Sequence, residues 1–579
     1  MTSPSLNPLA SLLTRCAICT ICGLMMLIGD VSAHDPVAEG TVTQGQSIRG
    51  RLGTGESLLF EPVRKTSQEQ VPEKPRIRNL ILLIGDGMGP QQVGLLTQYA
   101  HHGKHSPYED RQAAIERLMN EGVAGIMRTE PHNMLVVDSA ASATQIATGQ
   151  YAGSEMIGAN YQGDSAKTVL EYAKESGRST GLVSDTRITH ATPASFAAHQ
   201  RHRSMENEIA GDMLETQPDV MLSGGLRHWV PAAAAKKESV TYEALRQLIG
   251  DAYPITTKRT DNRNLLLEAR DYYQLAFDRY ALARIEEMPV LGLFSDTAML
   301  DALAEKAADN AGTRNQPTLV EMSKKAIELL DQNPAGFFLM IEGGQIDWTG
   351  HNNDAGAMLH ELLRFDAVVA AVMEWAKDRD DTVIVVTADH ETGSFGFSYS
   401  GSSIPKARQL AGNVFNNEKF EPNFNFARQR TLESLYGQKQ SYYTILETFD
   451  ALPAKEQTAE SLMELVNSAM PLNIDLDEAV QVLTRSRNKM YQEGHPFLGT
   501  KTLPNIRDFN SFYVYGENLR MNLLGRLLAE EQNVVWGTGT HTSTPVTLGA
   551  WGPEAATKPF SGIHHSTDIG QRMIELMQQ

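Results

Sequence analysis

The sequence predicts an α/β fold: a three-layer α/β/α sandwich on a largely parallel central sheet, interrupted by one large insertion. Three observations lead there. From Asn79 onward, short apolar runs recur ("NLILLI", "MLVV", "STGLVS", "DVMLS", "FFLMI", "TVIVVTA" and "VTLGAW"), each of a length that fits a buried strand. Helix-like stretches such as "QQVGLLTQYA", "AKTVLEYAKES" and "LVEMSKKAIELLDQ" separate many of them. Strands alternating with helices argue for parallel pairing with helices on both faces. Between about Phe395 and Trp536 this rhythm stops. "FNNEKFEPNFNF" and "YGQKQSYY" are polar and aromatic, and "AKEQTAESLMELVNSAM" and "LDEAVQVLTRSRNKM" read as amphipathic helices. "WGTGTHTSTPVTLGAWG" then restores the core pattern.

In chain order, residues 1–33 read as a signal peptide. Arg15 precedes a short apolar run, "CAICTICGLMMLI", and "DVSA" ends with the small residues of a cleavage site at Ala33. The run is too short for a membrane span. Residues 34–75 form a Gly- and Thr-rich β segment and a linker. Residues 76–395 and 536–579 form the core, and 396–535 the insertion, expected to act as a cap, a crown or a subunit contact. Long insertions at such a place usually carry function or association. The expected location is therefore exported, periplasmic or extracellular, with no stable membrane anchor.

Composition narrows the chemistry. A formal charge of −19 disfavours nucleic acid and anionic membranes as non-specific partners. The 3 cysteines, Cys16, Cys19 and Cys22, all lie inside the signal. The mature chain then has neither a disulfide nor a thiolate metal ligand, so any metal must be held by Asp, Glu, His and hydroxyls.

Four apolar runs end in such residues. "NLILLIGDGMG" delivers Asp86, and "MLVVDSA" delivers Asp138 and Ser139. "FFLMIEGGQIDWTGH" delivers Glu342, Asp347 and His351, and "TVIVVTADHE" delivers Asp389 and His390. A carboxylate after a strand is often a helix N-cap. Four such sites at the carboxyl edge of one sheet, where α/β folds bind ligands, point instead to a shared site. Asp347 and His351 are four apart and share a helical face. Asp389 and His390 are adjacent at a turn. Two ions roughly 3.5–4 Å apart can clamp the attacking and leaving oxygens of an in-line displacement. A serine is a poor nucleophile until metal coordination lowers its pKa, and Ser139 is placed for that role.

These motifs resemble the alkaline phosphatase family. "GDGMG", "DSAASAT", "THATPASFAAH", "EGGQIDWTGH", "TADHE" and "GTGTHT" follow in that family's order over most of the chain outside the insertion. The resemblance implies two Zn2+ and one Mg2+ per subunit. Asp347, His351 and His541 match the ligands of the first zinc. Asp86, Asp389 and His390 match those of the second, which activates Ser139. Asp86, Thr192 and Glu342 match the magnesium site. Arg203 matches the arginine that grips phosphate, with Arg201 as the alternative. His101, His102, His105, His132, His202 and His564 are read as surface or structural.

Two positions depart from the best-known members, which have Asp and Lys there. His190 is expected to support magnesium through water, or itself to ligate and shift the preference toward zinc or cobalt. Trp348 removes a cationic phosphate contact. The implied activity is hydrolysis of small phosphomonoesters through a phosphoserine on Ser139, by a possible homodimer. The alternatives are a related phosphodiesterase, a phosphonate or sulfate ester hydrolase, or an inactive metal-binding scaffold.

Overall fold

The computed structural model describes residues 76–250 and 253–579. The signal peptide and the N-terminal β segment lie outside the described residues. The strands of the main sheet are β1 (Asn79–Gly85), β2 (Val123–Arg128), β3 (Ser179–Arg187), β4 (Val220–Gly224), β5 (Gln274–Ala276), β6 (Val290–Leu293), β7 (Phe337–Gly343), β8 (Thr382–Thr387), β9 (Val546–Trp551) and β10 (Gly562–His565). They form one ten-stranded sheet in the order β10-β2-β9-β8-β1-β7-β3-β4-β6-β5. Every pairing is parallel except those of β9, which runs against both β2 and β8.

Seven residues in a row are buried in β1 and again in β7, as a strand covered on both faces requires. One hydrophobic core runs the length of the sheet and takes in the helices packed on it. Among the described residues, no helix is long and apolar enough to cross a membrane.

One expected strand is absent. "MLVV" (134–137) is a loop, and β2 lies upstream of it. Pro131 and the left-handed Asn133 (φ 58°) break the chain just before. Leu135 is 81% exposed, and Met134 and Val136 also face solvent; only Val137 is buried, against Ala141 and Ala152 and not in the sheet. Ser139 therefore arrives on a loop and opens helix α1 (Ser139–Thr148), all of whose residues are buried. The Asp138 carboxylate caps α1 by accepting from Ala140 N–H.

Three further helices position the site: α2 (Ala191–Ala197), α3 (Gln345–Asn352) and α4 (Ala355–Ala376). Residues 396–535 contain α5 (Tyr442–Asp450), α6 (Ala459–Ala469), α7 (Leu476–Leu483) and α8 (Leu519–Gln532). These four helices share a second hydrophobic core that includes Tyr442, Phe449, Leu462, Val466 and Leu524. The segment's two ends are zipped together: Phe395–Phe397 pairs antiparallel with Val534–Trp536. Just inward of that pair, Thr392 pairs with His541. Asp354 adds a second tie, accepting from Tyr442 N–H at 2.7 Å and from Gln438 Nε2 at 2.8 Å.

Candidate active site

Neighbouring strands bring the carboxylates together. β1 lies between β7 and β8, and Ile84 is in register with both Glu342 and Thr387. Asp86, Glu342 and Asp389 therefore leave one end of the sheet side by side. Gly87 follows Asp86 in the left-handed region (φ 72°), and a Cβ there would sit 2.7 Å from the Asp347 Cα. Glycine thus lets the two backbones close on each other. The Gly87 N–H also donates to Asp389 Oδ1 at 3.1 Å.

The expected residues gather into three groups, each with donor atoms within 4.8 Å of one another. The first is Asp347, His351 and His541. Asp347 and His351 share a face of α3, with Oδ2 and Nε2 3.2 Å apart. His351 Nδ1 donates to the Gly539 carbonyl and His541 Nδ1 to that of Val137, both at 2.8 Å. A neutral imidazole donating through Nδ1 carries its lone pair on Nε2. The second group is Asp86, Asp389 and His390. Ser139 Oγ lies 3.1 Å from His390 Nε2. The third is Asp86, His190 and Glu342. Thr192, on α2, donates to Asp86 Oδ2 at 3.4 Å. A ring nitrogen of His190 is thus near enough to these carboxylates to be a ligand without an intervening water.

The electrostatics suit cations. Asp86 Oδ1, Asp389 Oδ2, Glu342 Oε1 and His190 Nδ1 are buried without a hydrogen-bond partner among the described residues, which is costly unless something else satisfies them. Burial, then Asp389 beside it, holds the Asp86 carboxyl well above the usual range. Burial and Asp185 push Glu342 up to about 7, against a hydrogen bond from Ser184. Burial opposes ionisation of Asp347, but His351 and His541 outweigh it and hold its pKa well down. Burial, then the Arg203 charge, pushes His190 down to about 3, so it stays neutral with a lone pair to offer.

Arg203 Nη1 reaches Asp138 Oδ2 at 3.2 Å, and its Nη2 lies 3.3 Å from His190 Nε2. Arg201 is exposed, whereas Arg203 is half-buried and lines a cavity of about 850 Å³. Ser139, His190, Asp347, Trp348 and His541 line the same cavity. Trp348 stands edge-on to His190, ring centroids 5.9 Å apart.

Sequence reasoning missed several neighbours. The Thr392 hydroxyl donates to Asp347 Oδ1 and lies 3.2 Å from His390 Nδ1, linking the first two groups. Its place two residues after His390 was the available signal. His202, read from the sequence as surface or structural, is half-buried on the cavity wall beside Glu155. Tyr515 stands edge-on to His351, centroids 4.8 Å apart. Burial and Asp347 push its hydroxyl up to about 12, so it remains protonated in alkaline solution. No motif marks it.

A family model described as "Alkaline phosphatase" matches residues 77–496. The chain is 28% identical over 530 residues to Alkaline phosphatase 3 of Bacillus subtilis, covering 89% of this chain and 92% of that protein. It is 33% identical over 338 residues to Alkaline phosphatase 4 of the same organism, covering 57% of this chain and 64% of that protein. Among solved structures, the Thermus thermophilus alkaline phosphatase superposes with a TM-score of 0.67 at 23% identity, over 89% of this chain and 95% of that one. A cold-active alkaline phosphatase from Shewanella sp. gives 0.61 at 24%, over 86% and 100%. With ordered motifs, a shared fold and a family match across residues 77–496, this chain belongs to the alkaline phosphatase family.

Proposed function

We propose that this protein hydrolyses phosphate monoesters through a phosphoserine on Ser139, using two Zn2+ and one Mg2+ per subunit. The observation that carries the reading is Ser139 Oγ, 1% exposed by residue and 3.1 Å from His390 Nε2, beside two cation-shaped groups and facing Arg203 across one cavity. Asp347, His351 and His541 would hold one zinc; Asp86, Asp389 and His390 the other; and Asp86, Glu342, Thr192 and His190 the magnesium. When bound, such ions supply charge stabilisation and lower the pKa of a coordinated hydroxyl.

Arg203 offers a planar fork of N–H donors that suits two oxygens of a phosphoryl group. Asp138 anchors that fork, and the α1 N-terminus adds a partial positive charge near Ser139. Ser139 Oγ bonds to phosphorus as its proton leaves to solvent. The bond to the leaving alcohol breaks, and that oxygen takes up a proton. Water then attacks phosphorus, the Ser139–phosphorus bond breaks, Oγ regains a proton, and inorganic phosphate departs. Burial of α1 fixes the direction from which Ser139 attacks.

In this reading residues 396–535 shape access to the site, supported by the pairing of Thr392 with His541 and by Tyr515 on His351. Export by the 1–33 signal and a homodimeric assembly complete the proposal.

The test is rapid acid quench with a radiolabelled monoester. The expected result is acid-stable label on Ser139, with Ser139→Ala unlabelled, slower by roughly a thousandfold or more, and still loaded with metal. Label on another residue sinks the reading. Parallel turnover of diester and sulfate ester, both expected to be far slower, separates the related hydrolases.

A further inference from the structure

The segment 396–535 brings rings to the cavity wall. Tyr515 meets His351 edge-on at 76°. Phe497 in turn meets Tyr515 edge-on, with centroids 5.3 Å apart and planes at 89°. Both rings line the cavity. Phe497 nevertheless stays 51% exposed, so much of its apolar surface has no partner. A row of rings thus runs from His351 through Tyr515 to Phe497, toward solvent. In the phosphatase reading the group of Asp86, Asp389 and His390 serves the Ser139 oxygen, which leaves the His351 group to meet the leaving oxygen, whereas Ser139 and Arg203 face the phosphoryl group. A leaving group directed away from Ser139 therefore travels along this row. A small polyol there would leave the rings in contact with water. A planar aromatic group would bury their apolar surface and make offset or edge-to-face contacts.

We propose that Phe497 and Tyr515 form a leaving-group subsite that favours phosphomonoesters of planar aromatic alcohols over those of small polyols. The proposal rests on the phosphatase reading. Phe497 and Tyr515 are specificity residues here, acting on the leaving group and not on the reacting atoms.

The test compares kcat/KM for 4-nitrophenyl phosphate and glycerol 2-phosphate in the metal-loaded full chain. The two esters differ in intrinsic reactivity, so the reading is the change in their ratio from wild type to variant. Phe497→Ala and Tyr515→Leu should each lower the aryl preference, by about three- to tenfold, the size expected for one aromatic contact. Tyr515→Phe, which keeps the ring, should retain it. Val414→Ala, a change at an exposed residue away from the cavity lining, should not move it. An unchanged ratio in Phe497→Ala overturns the proposal, as does an equal loss on both esters. Should Tyr515→Leu fail to fold, Phe497→Ala at its half-exposed position decides alone. Wild-type protein that turns over neither ester would overturn the phosphatase reading and this one together. Turnover of both with no shift in ratio overturns this one alone.

Discussion

His351 and His541 point their Nε2 atoms at each other across 3.1 Å. Each ring commits its Nδ1 proton to a backbone carbonyl, so two lone pairs face one another beside the Asp347 carboxylate. Without a cation between them this contact is repulsive; with one, it becomes two ligand bonds.

Metal removal should therefore destabilise the fold as well as stop turnover. Ions at a thousand times their dissociation constant add about 4 kcal/mol of stability per site. Chelation should lower the melting temperature by several degrees, and zinc plus magnesium should restore it. Asp86 belongs to two of the three groups. Asp86→Asn should weaken two sites, whereas Asp347→Asn should weaken one. Metal analysis of the dialysed proteins checks this, and equal losses in the two variants would contradict the assignment.

The proposed phosphate clamp gives a second prediction. Arg203 pairs with Asp138, the residue that caps α1 ahead of Ser139. In the proposed mechanism Arg203→Ala would remove charged hydrogen bonds to phosphate, each worth about 1.5–3 kcal/mol. The inhibition constant of inorganic phosphate should rise by roughly 10- to 100-fold. Asp138→Asn keeps Arg203 but loosens it, and should give a smaller rise. Arg201→Ala, at an exposed position, should change the constant little. Phosphate inhibition curves for the three variants decide the matter.

How much of this was legible in the sequence depends on the range of the interaction. Local patterns carried the sheet: "NLILLI", "FFLMI" and "TVIVVTA" are apolar enough to be read as buried strands, and they are β1, β7 and β8. The same rule failed at "MLVV", because an apolar run in an exposed loop has the same composition as one in a sheet. Spacing carried the Asp347–His351 pair, since four residues make one helical turn. It could not show that Gly539 and Val137 carbonyls orient His351 and His541, because those contacts join residues far apart in the chain. Tyr515 and Phe497 were illegible for a related reason. Their meaning comes from the pairing that folds 396–535 back onto the site, and nothing local announces it.

His190 and Trp348 offer a third prediction. His190 is neutral and brings no negative charge to the group it shares with Asp86 and Glu342. A nitrogen ligand suits zinc or cobalt better than magnesium. His190→Asp should raise magnesium activation and lower the zinc or cobalt content of that site. Trp348 offers one N–H and no charge beside the cavity, so Trp348→Lys should tighten phosphate inhibition. Unchanged metal preference in the first variant, together with unchanged inhibition in the second, would refute the roles given to both residues.

The last prediction concerns stability in acid, away from the metal groups. His360 lies buried on α4 and hydrogen-bonds the Tyr436 carbonyl through Nε2 at 2.9 Å, under the stacked Tyr436 ring. Burial, reinforced by Lys306 and only partly offset by that hydrogen bond, pushes its pKa down to about 4. In the unfolded chain the ring titrates near 6.5. Above that pH both states hold it neutral and it adds no pH dependence. As pH falls below 6.5 the unfolded chain takes up a proton that the folded protein refuses, and stability drops until the folded ring also titrates near 4. Between pH 7 and pH 5 this difference amounts to about 2 kcal/mol. His360→Gln keeps an N–H for Tyr436 but cannot titrate. His228, pushed down to about 4 mainly by burial, is the same in both proteins, as are the proposed metal ligands, so their contributions cancel in the comparison. Denaturant melts at pH 7 and pH 5 should show wild type losing about 2 kcal/mol more than His360→Gln. Equal losses would mean that His360 is protonated as readily in the fold as in the open chain.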